Sequence, residues 1–198
     1  MSHDDQTLDF YAREAEAYTS REKVENRQRL LTFLSALPDN ARILELGCGA
    51  GQDSEFMISQ GFSVQPTDGS PEIVEAAQAR LGVPVQQLLF EDLDEQATYD
   101  GVWANACLLH VPRTSLASVL ARVFAALRDG GQFFASFKAG EDDGRDRFGR
   151  YYNYPSARRL KDLYETLPWQ SIVIESGKGG GYDGLPTDWL YVTATKGG

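Results

Sequence analysis

The chain has 198 residues, 42% of them hydrophobic and 24% charged, with a formal net charge of -10. That size buries one continuous core without staples, and the acidic balance repels phosphate-rich partners, which makes nucleic acid an unexpected partner. Cys48, Cys107, His3 and His110 offer no C-x-x-C or H-x-x-x-H spacing for zinc. The polar start Met1 to Gln6 lacks a signal peptide's apolar core, and no apolar run reaches bilayer length, so a cytoplasmic protein without membrane contact is expected.

Apolar residues from Leu8 to Leu37, including Tyr11, Tyr18, Val24, Leu30 and Leu34, recur at helical spacing and predict one or two amphipathic helices, ended by Pro38-Asp39-Asn40. Ala41 to Leu46 reads as a buried strand. It runs into Gly47-Cys48-Gly49-Ala50-Gly51 and then into a helix beginning near Asp53. A second strand is expected over Phe62 to Thr67, closed by Asp68-Gly69-Ser70-Pro71, with Ser70 as N-cap and Pro71 as the first helical residue. A helix over Ile73 to Leu81 and a third strand over Val83 to Phe90, ending in Glu91-Asp92, come next.

Tyr99 to Ala104 predicts a fourth strand, Arg113 to Leu127 a helix, and Gln132 to Phe137 a fifth strand after the Gly130-Gly131 turn. Strand and helix alternation of this kind calls for a parallel sheet covered on both faces, the doubly wound α/β class. Asp142 to Tyr154 is a polar, tyrosine-rich insertion. A helix over Ala157 to Leu167 then leads to strands over Ser171 to Glu175 and Trp189 to Ala194, joined by a long glycine-rich connection.

The G-x-G-x-G turn lacks the glycine that a dinucleotide fingerprint would place at Gln52. With Glu45-Leu46 before it and an acidic strand end after it, the run resembles motif I of class I S-adenosylmethionine-dependent methyltransferases. The resemblance covers Phe10 to Ala194, and small bacterial enzymes of the tellurite-resistance and thiopurine type are similar. It implies a Rossmann-like sheet of order 3-2-1-4-5-7-6 with a closing antiparallel hairpin, and S-adenosylmethionine as cofactor. The implied single domain divides into a helical cap (1–38), a cofactor-binding core (39–138) and an acceptor-side region (139–198). The implied function is methyl transfer to a small-molecule acceptor by in-line displacement. A non-catalytic cofactor-binding module and a methyltransferase of modified tRNA bases are the alternatives, and the oligomeric state is left open.

The cofactor-binding candidates begin with Gly47, Cys48, Gly49 and Gly51. Asp68, about 20 positions after Gly47, either takes the ribose hydroxyls or forms an Asx turn with Gly69 and Ser70. By the same resemblance Glu91-Asp92 receives the adenine amino group, or is a solvated acidic loop. Glu45 and Asp53 flank the cationic methionine part, although Asp53 also suits a helix N-terminus. Ala104 and Asn105 lie at the mouth of the crevice, with Cys107 read as an apolar filler. Tyr11 and Tyr18 either lie over the cofactor or form an apolar helix face. Catalytic candidates are His110, which serves as a base or orients a loop, and Tyr152. Arg150, Tyr151, Tyr154, Asp183 and Trp189 are acceptor-binding candidates, with a packed lid as the other reading. No metal is expected.

Overall fold

A computed structural model of the chain describes residues 2–21, 27–182 and 184–198. Val24 and Asp183 lie outside them. The N-terminal part forms three helices, α1 (Asp5–Arg13), α2 (Ala15–Thr19) and α3 (Arg27–Ser35), where one or two were expected. Asp4 caps α1 by accepting from the Thr7 amide at 2.9 Å, and its carboxylate also meets Arg145 at 2.7 Å, which ties α1 to the later insertion.

The strands and helices then alternate: β1 (Arg42–Leu46), α4 (Gln52–Ser59), β2 (Ser63–Asp68), α5 (Pro71–Leu81), β3 (Gln86–Gln87), β4 (Tyr99–Ala104), α6 (Leu116–Ala126) and β5 (Leu127–Lys138). Ser70 caps α5, and Pro71 opens it as expected. A two-stranded ribbon, β6 (Gly144–Arg145) with β7 (Tyr151–Tyr152), sits in the insertion. α7 (Ala157–Tyr164), β8 (Trp169–Gly180) and β9 (Pro186–Lys196) close the chain.

Among the described residues seven strands form one sheet in the order β3-β2-β1-β4-β5-β9-β8. β1 pairs in parallel with β2 and β4, and β5 pairs antiparallel with β9. One face carries the main core, in which Leu120, Val123 and Leu160 pack on Val102, Phe133 and Val192. On the other face Phe33 of α3 packs on Trp103, which stacks on Phe134 with ring centroids 4.0 Å apart.

Three expected elements change. β5 starts at Leu127, not Gln132, so Gly130-Gly131, expected as a turn, lie within a strand whose register against β4 shifts between Tyr99 and Gly101. The third strand shrinks to Gln86–Gln87, paired with Thr67 and Asp68, and Phe90–Asp92 forms a 3-10 turn instead. Pro84 cannot donate to a ladder, and Val85 and Leu88 turn inward to pack. The hairpin, by contrast, lengthens. β8 and β9 stay paired as far as Gly180 and Pro186, so Lys178-Gly179-Gly180 is strand rather than loop. Aromatic rings cover the missing side chains: a Cβ on Gly177 would meet Tyr191 at 3.0 Å, and one on Gly179 would meet Trp189 at 3.1 Å. No helix among the described residues is long and apolar enough to cross a membrane.

Candidate active site

β1 delivers the chain into its turn at the carboxyl end of the sheet, where ligands of open α/β folds bind. Gly47, Gly49 and Gly51 all take positive φ, at 64°, 55° and 78°. Contact adds a second demand for glycine. A Cβ on Gly47 would lie 2.4 Å from Cys107 Cβ, and one on Gly49 would lie 3.3 Å from the Tyr18 ring.

Asp68 ends β2 behind this turn. Its Oδ2 accepts from the Gly49 amide and its Oδ1 from the Ser70 amide, both at 3.1 Å, so the Asx turn forms and the carboxylate is locked against the glycine loop. Burial pushes this carboxyl up, while the amides of Ser70, Gly49 and Gly69 pull it back. Leu8 of α1 and Leu89 press on the Gly69 backbone. The Glu91 side chain is held by the Ser2 amide and by His3, and Asp92 is exposed.

Beneath the turn, buried Glu45 accepts from the Ser54 hydroxyl. Asp53 Oδ2 accepts from Trp103 Nε1 at 2.9 Å and from Asn105 Nδ2 at 3.2 Å. The Asn105 carbonyl in turn accepts from Ser136 Oγ at 2.8 Å, and Ser136 Oγ accepts from the Ala106 amide at 2.7 Å. Asn105 is therefore oriented from both ends. Its chain neighbour Ala106 sits at φ 57°, in the left-handed region that an alanine adopts only at a cost.

His110 follows on a 3-10 turn. Its Nδ1 meets the Tyr151 carbonyl oxygen and its Nε2 meets the Tyr11 hydroxyl, which also accepts from Arg150 Nη1 at 3.2 Å. Desolvation pushes the imidazole down to about 3, so it is neutral near pH 7. Burial also pushes the Tyr152 and Tyr11 phenols up, so both keep their protons. These rings offer hydrogen bonds rather than a free base.

Arg150 is 1% exposed. Its Nε and Nη2 both donate to Asp146 Oδ2, at 3.0 and 2.7 Å, and the rings of Phe10, Tyr11, Phe148, Tyr152 and Tyr182 surround the guanidinium within 5.7 Å. The acceptor-binding candidate is thus an internal ion pair that clamps α1, the insertion and the hairpin tip together.

A cavity of about 680 Å³ joins these parts. It is bordered by Gly47, Cys48 and Gly49 at one end, by Tyr11 and Tyr18 above, by Asn105, His110, Arg150 and Tyr152 beyond, and by Trp189 on the hairpin. Glu45, Gly51, Asp53, Asp68, Gly69, Ser70, Glu91, Asp92, Ala104, Tyr151 and Tyr154 do not border it. Glu45 and Asp53 stand beneath the turn, Tyr154 stacks behind Tyr152, and the Tyr151 phenol turns to Asp143 at 2.9 Å. Ser136 and Lys138 border the cavity without having been singled out in the sequence. Their alternation at the carboxyl end of a parallel strand was the available signal. Asp146, the partner of Arg150, was also passed over.

The family model for a methyltransferase domain matches residues 43–131. Trans-aconitate 2-methyltransferase of Variovorax paradoxus (strain S110) is 33% identical over 154 residues, which are 75% of this chain and 53% of that protein. Ubiquinone biosynthesis O-methyltransferase of Xanthomonas axonopodis pv. citri (strain 306) is 33% identical over 115 residues, 54% of this chain and 47% of that protein. The chain thus spans about half the length of the curated relatives it matches. Among solved structures, the Burkholderia thailandensis 1,6-didemethyltoxoflavin-N1-methyltransferase, with bound 1,6-didemethyltoxoflavin and S-adenosylhomocysteine, shares the fold with a TM-score of 0.78 and 24% identity, covering 98% of this chain and 88% of that one. With the seven-stranded sheet, its antiparallel closing pair and the three-glycine turn after β1, these matches give the chain a methyltransferase domain over residues 43–131 on the class I S-adenosylmethionine-dependent methyltransferase fold.

Proposed function

We propose that the chain transfers a methyl group from S-adenosylmethionine to a small-molecule acceptor. One observation carries this reading: a single cavity runs from the glycine turn to a polar end lined by Asn105, His110, Ser136 and Tyr152. Its volume of about 680 Å³ falls within the roughly 300–1,000 Å³ usual for small-molecule sites.

The residues present fit the donor. Side chains are absent where a ligand must approach the backbone closely, and Gly47 and Gly49 border the cavity directly. Asp68, its oxygens already aimed by two amides, would hold the ribose hydroxyls. Leu8 and Leu89, packed at Gly69, would wall the purine, with Asp92 and the Glu91 backbone at its edge. Glu45 and Asp53 set negative charge beneath the cationic methionine end, and Tyr11 and Tyr18 cover it. When bound, the donor supplies a methyl group on a sulfonium, activated for in-line displacement without a protein nucleophile.

The protein's share of the work is orientation. Asn105, fixed by Asp53 and Ser136, and His110, fixed by Tyr151 and Tyr11, hold one geometry at the acceptor end. Near-attack positioning of this kind contributes up to about 7–11 kcal/mol to such reactions. In this reading His110 and Tyr152 position the acceptor and do not deprotonate it. Relatives named for ubiquinone biosynthesis and trans-aconitate methylation support a small acceptor. Turnover of methyl-labelled donor against thiols, phenols, amines and carboxylates tests the proposal. Formation of S-adenosylhomocysteine with at least one class is expected. Intact donor binding without turnover on any class would make the chain a non-catalytic binding module.

A further inference from the structure

The charge lining the cavity opposes the charge of the chain. The protein carries -10 overall, yet the described residues bordering the cavity include five cationic side chains, Arg21, Arg29, Lys138, Arg150 and Lys178, and no carboxylate. Carboxylates outside the lining meet some of these cations: Asp146 meets Arg150 at 2.7 Å, Glu175 meets Arg29 at 2.7 Å, and Asp188 meets Lys178 at 3.1 Å. A recess lined by one sign of charge focuses the field and draws in the opposite sign.

The cations fall at two ends. Arg21 stacks on Tyr18 at 5.3 Å, and Tyr18 lies against Gly49, so Arg21 stands beside the glycine turn where the donor's own carboxylate is the natural partner. Lys138 is the last residue of β5 and only 6% exposed, with its ammonium 4.5 Å from the centre of the Tyr152 ring. Because β4 lies between β1 and β5, Lys138 stands two strand spacings, roughly 10 Å, from the glycine turn. It belongs to the acceptor end, beside Tyr152 and Ser136. Arg150 spends its Nε and Nη2 on Asp146, and a single ammonium matches one carboxylate better than a phosphate dianion.

We infer that the methyl acceptor is a small organic acid anchored by pairing its carboxylate with the Lys138 ammonium. This inference rests on the methyltransferase reading and names the acceptor class of that same site.

The test is calorimetric. Affinity for S-adenosylhomocysteine is measured first, and the saturated protein is then titrated with matched pairs: benzoate and benzamide, 4-hydroxybenzoate and 4-hydroxybenzamide, fumarate and fumaramide. At least one carboxylate is expected to bind about tenfold or more tightly than its amide. Lys138→Met should erase that preference, Lys138→Arg should keep part of it, and both variants should bind S-adenosylhomocysteine as the parent does. Equal binding within every pair, or no carboxylate binding up to about 10 mM, overturns the acceptor class and leaves the methyltransferase reading standing. A parent protein that takes up no S-adenosylhomocysteine overturns that reading, and this inference with it. If Lys138→Met does not fold, the parent's carboxylate-against-amide comparison and Lys138→Arg still decide.

Discussion

The Tyr11 hydroxyl lies 2.9 Å from His110 Nε2, and Nδ1 of the same ring lies 2.6 Å from the Tyr151 carbonyl oxygen. A carbonyl only accepts, so the ring hydrogen sits on Nδ1, and Nε2 accepts from the phenol. One neutral imidazole therefore joins α1 to the insertion across the top of the cavity.

Stability should record that neutrality. Desolvation holds folded His110 at about 3, whereas an unfolded imidazole titrates near 6.5. Because the folded value is depressed, the stabilisation is complete above pH 6.5 and drains away as pH falls toward 3. Urea unfolding should weaken by up to about 1.4 kcal/mol per pH unit below 6.5, or about 2 kcal/mol by pH 5. His110→Gln retains hydrogen-bonding capacity without titrating and should flatten that slope. Equal slopes in the two proteins would refute the buried neutral ring.

Gly47 should be far less replaceable than a glycine constrained only by backbone angle. Gly47→Ala combines a left-handed backbone with a Cβ 2.4 Å from Cys107 Cβ, and should cost about 2–5 kcal/mol. Gly61→Ala, at φ 89° with nothing within 4 Å of the new Cβ, should cost only about 1–2 kcal/mol. Comparable losses in urea melts would mean that the turn is not pressed against Cys107.

The Arg150 and Asp146 side chains are 1% and 7% exposed, and removing one leaves the other charged without its counterpart. Asp146→Asn should lose about 3–5 kcal/mol. In a double-mutant cycle, Arg150→Met with Asp146→Asn should lose clearly less than the sum of the single changes. Strict additivity would show that the two side chains do not act as a pair.

Ser136 both orients Asn105 and occupies the Ala106 amide, on a residue held at φ 57°. Ser136→Ala should cost about 1–3 kcal/mol for the unsatisfied groups and should speed hydrogen exchange at the Ala106 amide selectively. Unchanged exchange at that amide would remove Ser136 from the support of the site.

Local chemistry made much of this fold readable. The β1 turn announces itself through three glycines, α5 through its Ser70 and Pro71 cap, and the sheet class through alternating patterns. The third strand misled because Val85, Leu88 and Phe90 look alike whether they face a sheet or pack in a turn. The hairpin misled because glycine has poor strand propensity, while the Tyr191 and Trp189 rings that cover Gly177 and Gly179 come from the opposite strand. Arg150 read as an acceptor-binding cation, with a packed lid as the other reading, because its ion pair with Asp146 and the surrounding rings are set by tertiary packing. Lys138 escaped notice because its one signal, alternation with Ser136 at the carboxyl end of a strand, marks a position in the sheet and not the cavity it enters.

The most direct measurement is calorimetric titration of S-adenosylhomocysteine into the parent chain and its Asp68→Ala variant. One site per chain is expected in the parent, with affinity falling about a hundredfold or more in the variant. An absence of binding in the parent, or equal affinity in both, would contradict an adenosine donor held by the glycine turn and the Asp68 carboxylate locked against it.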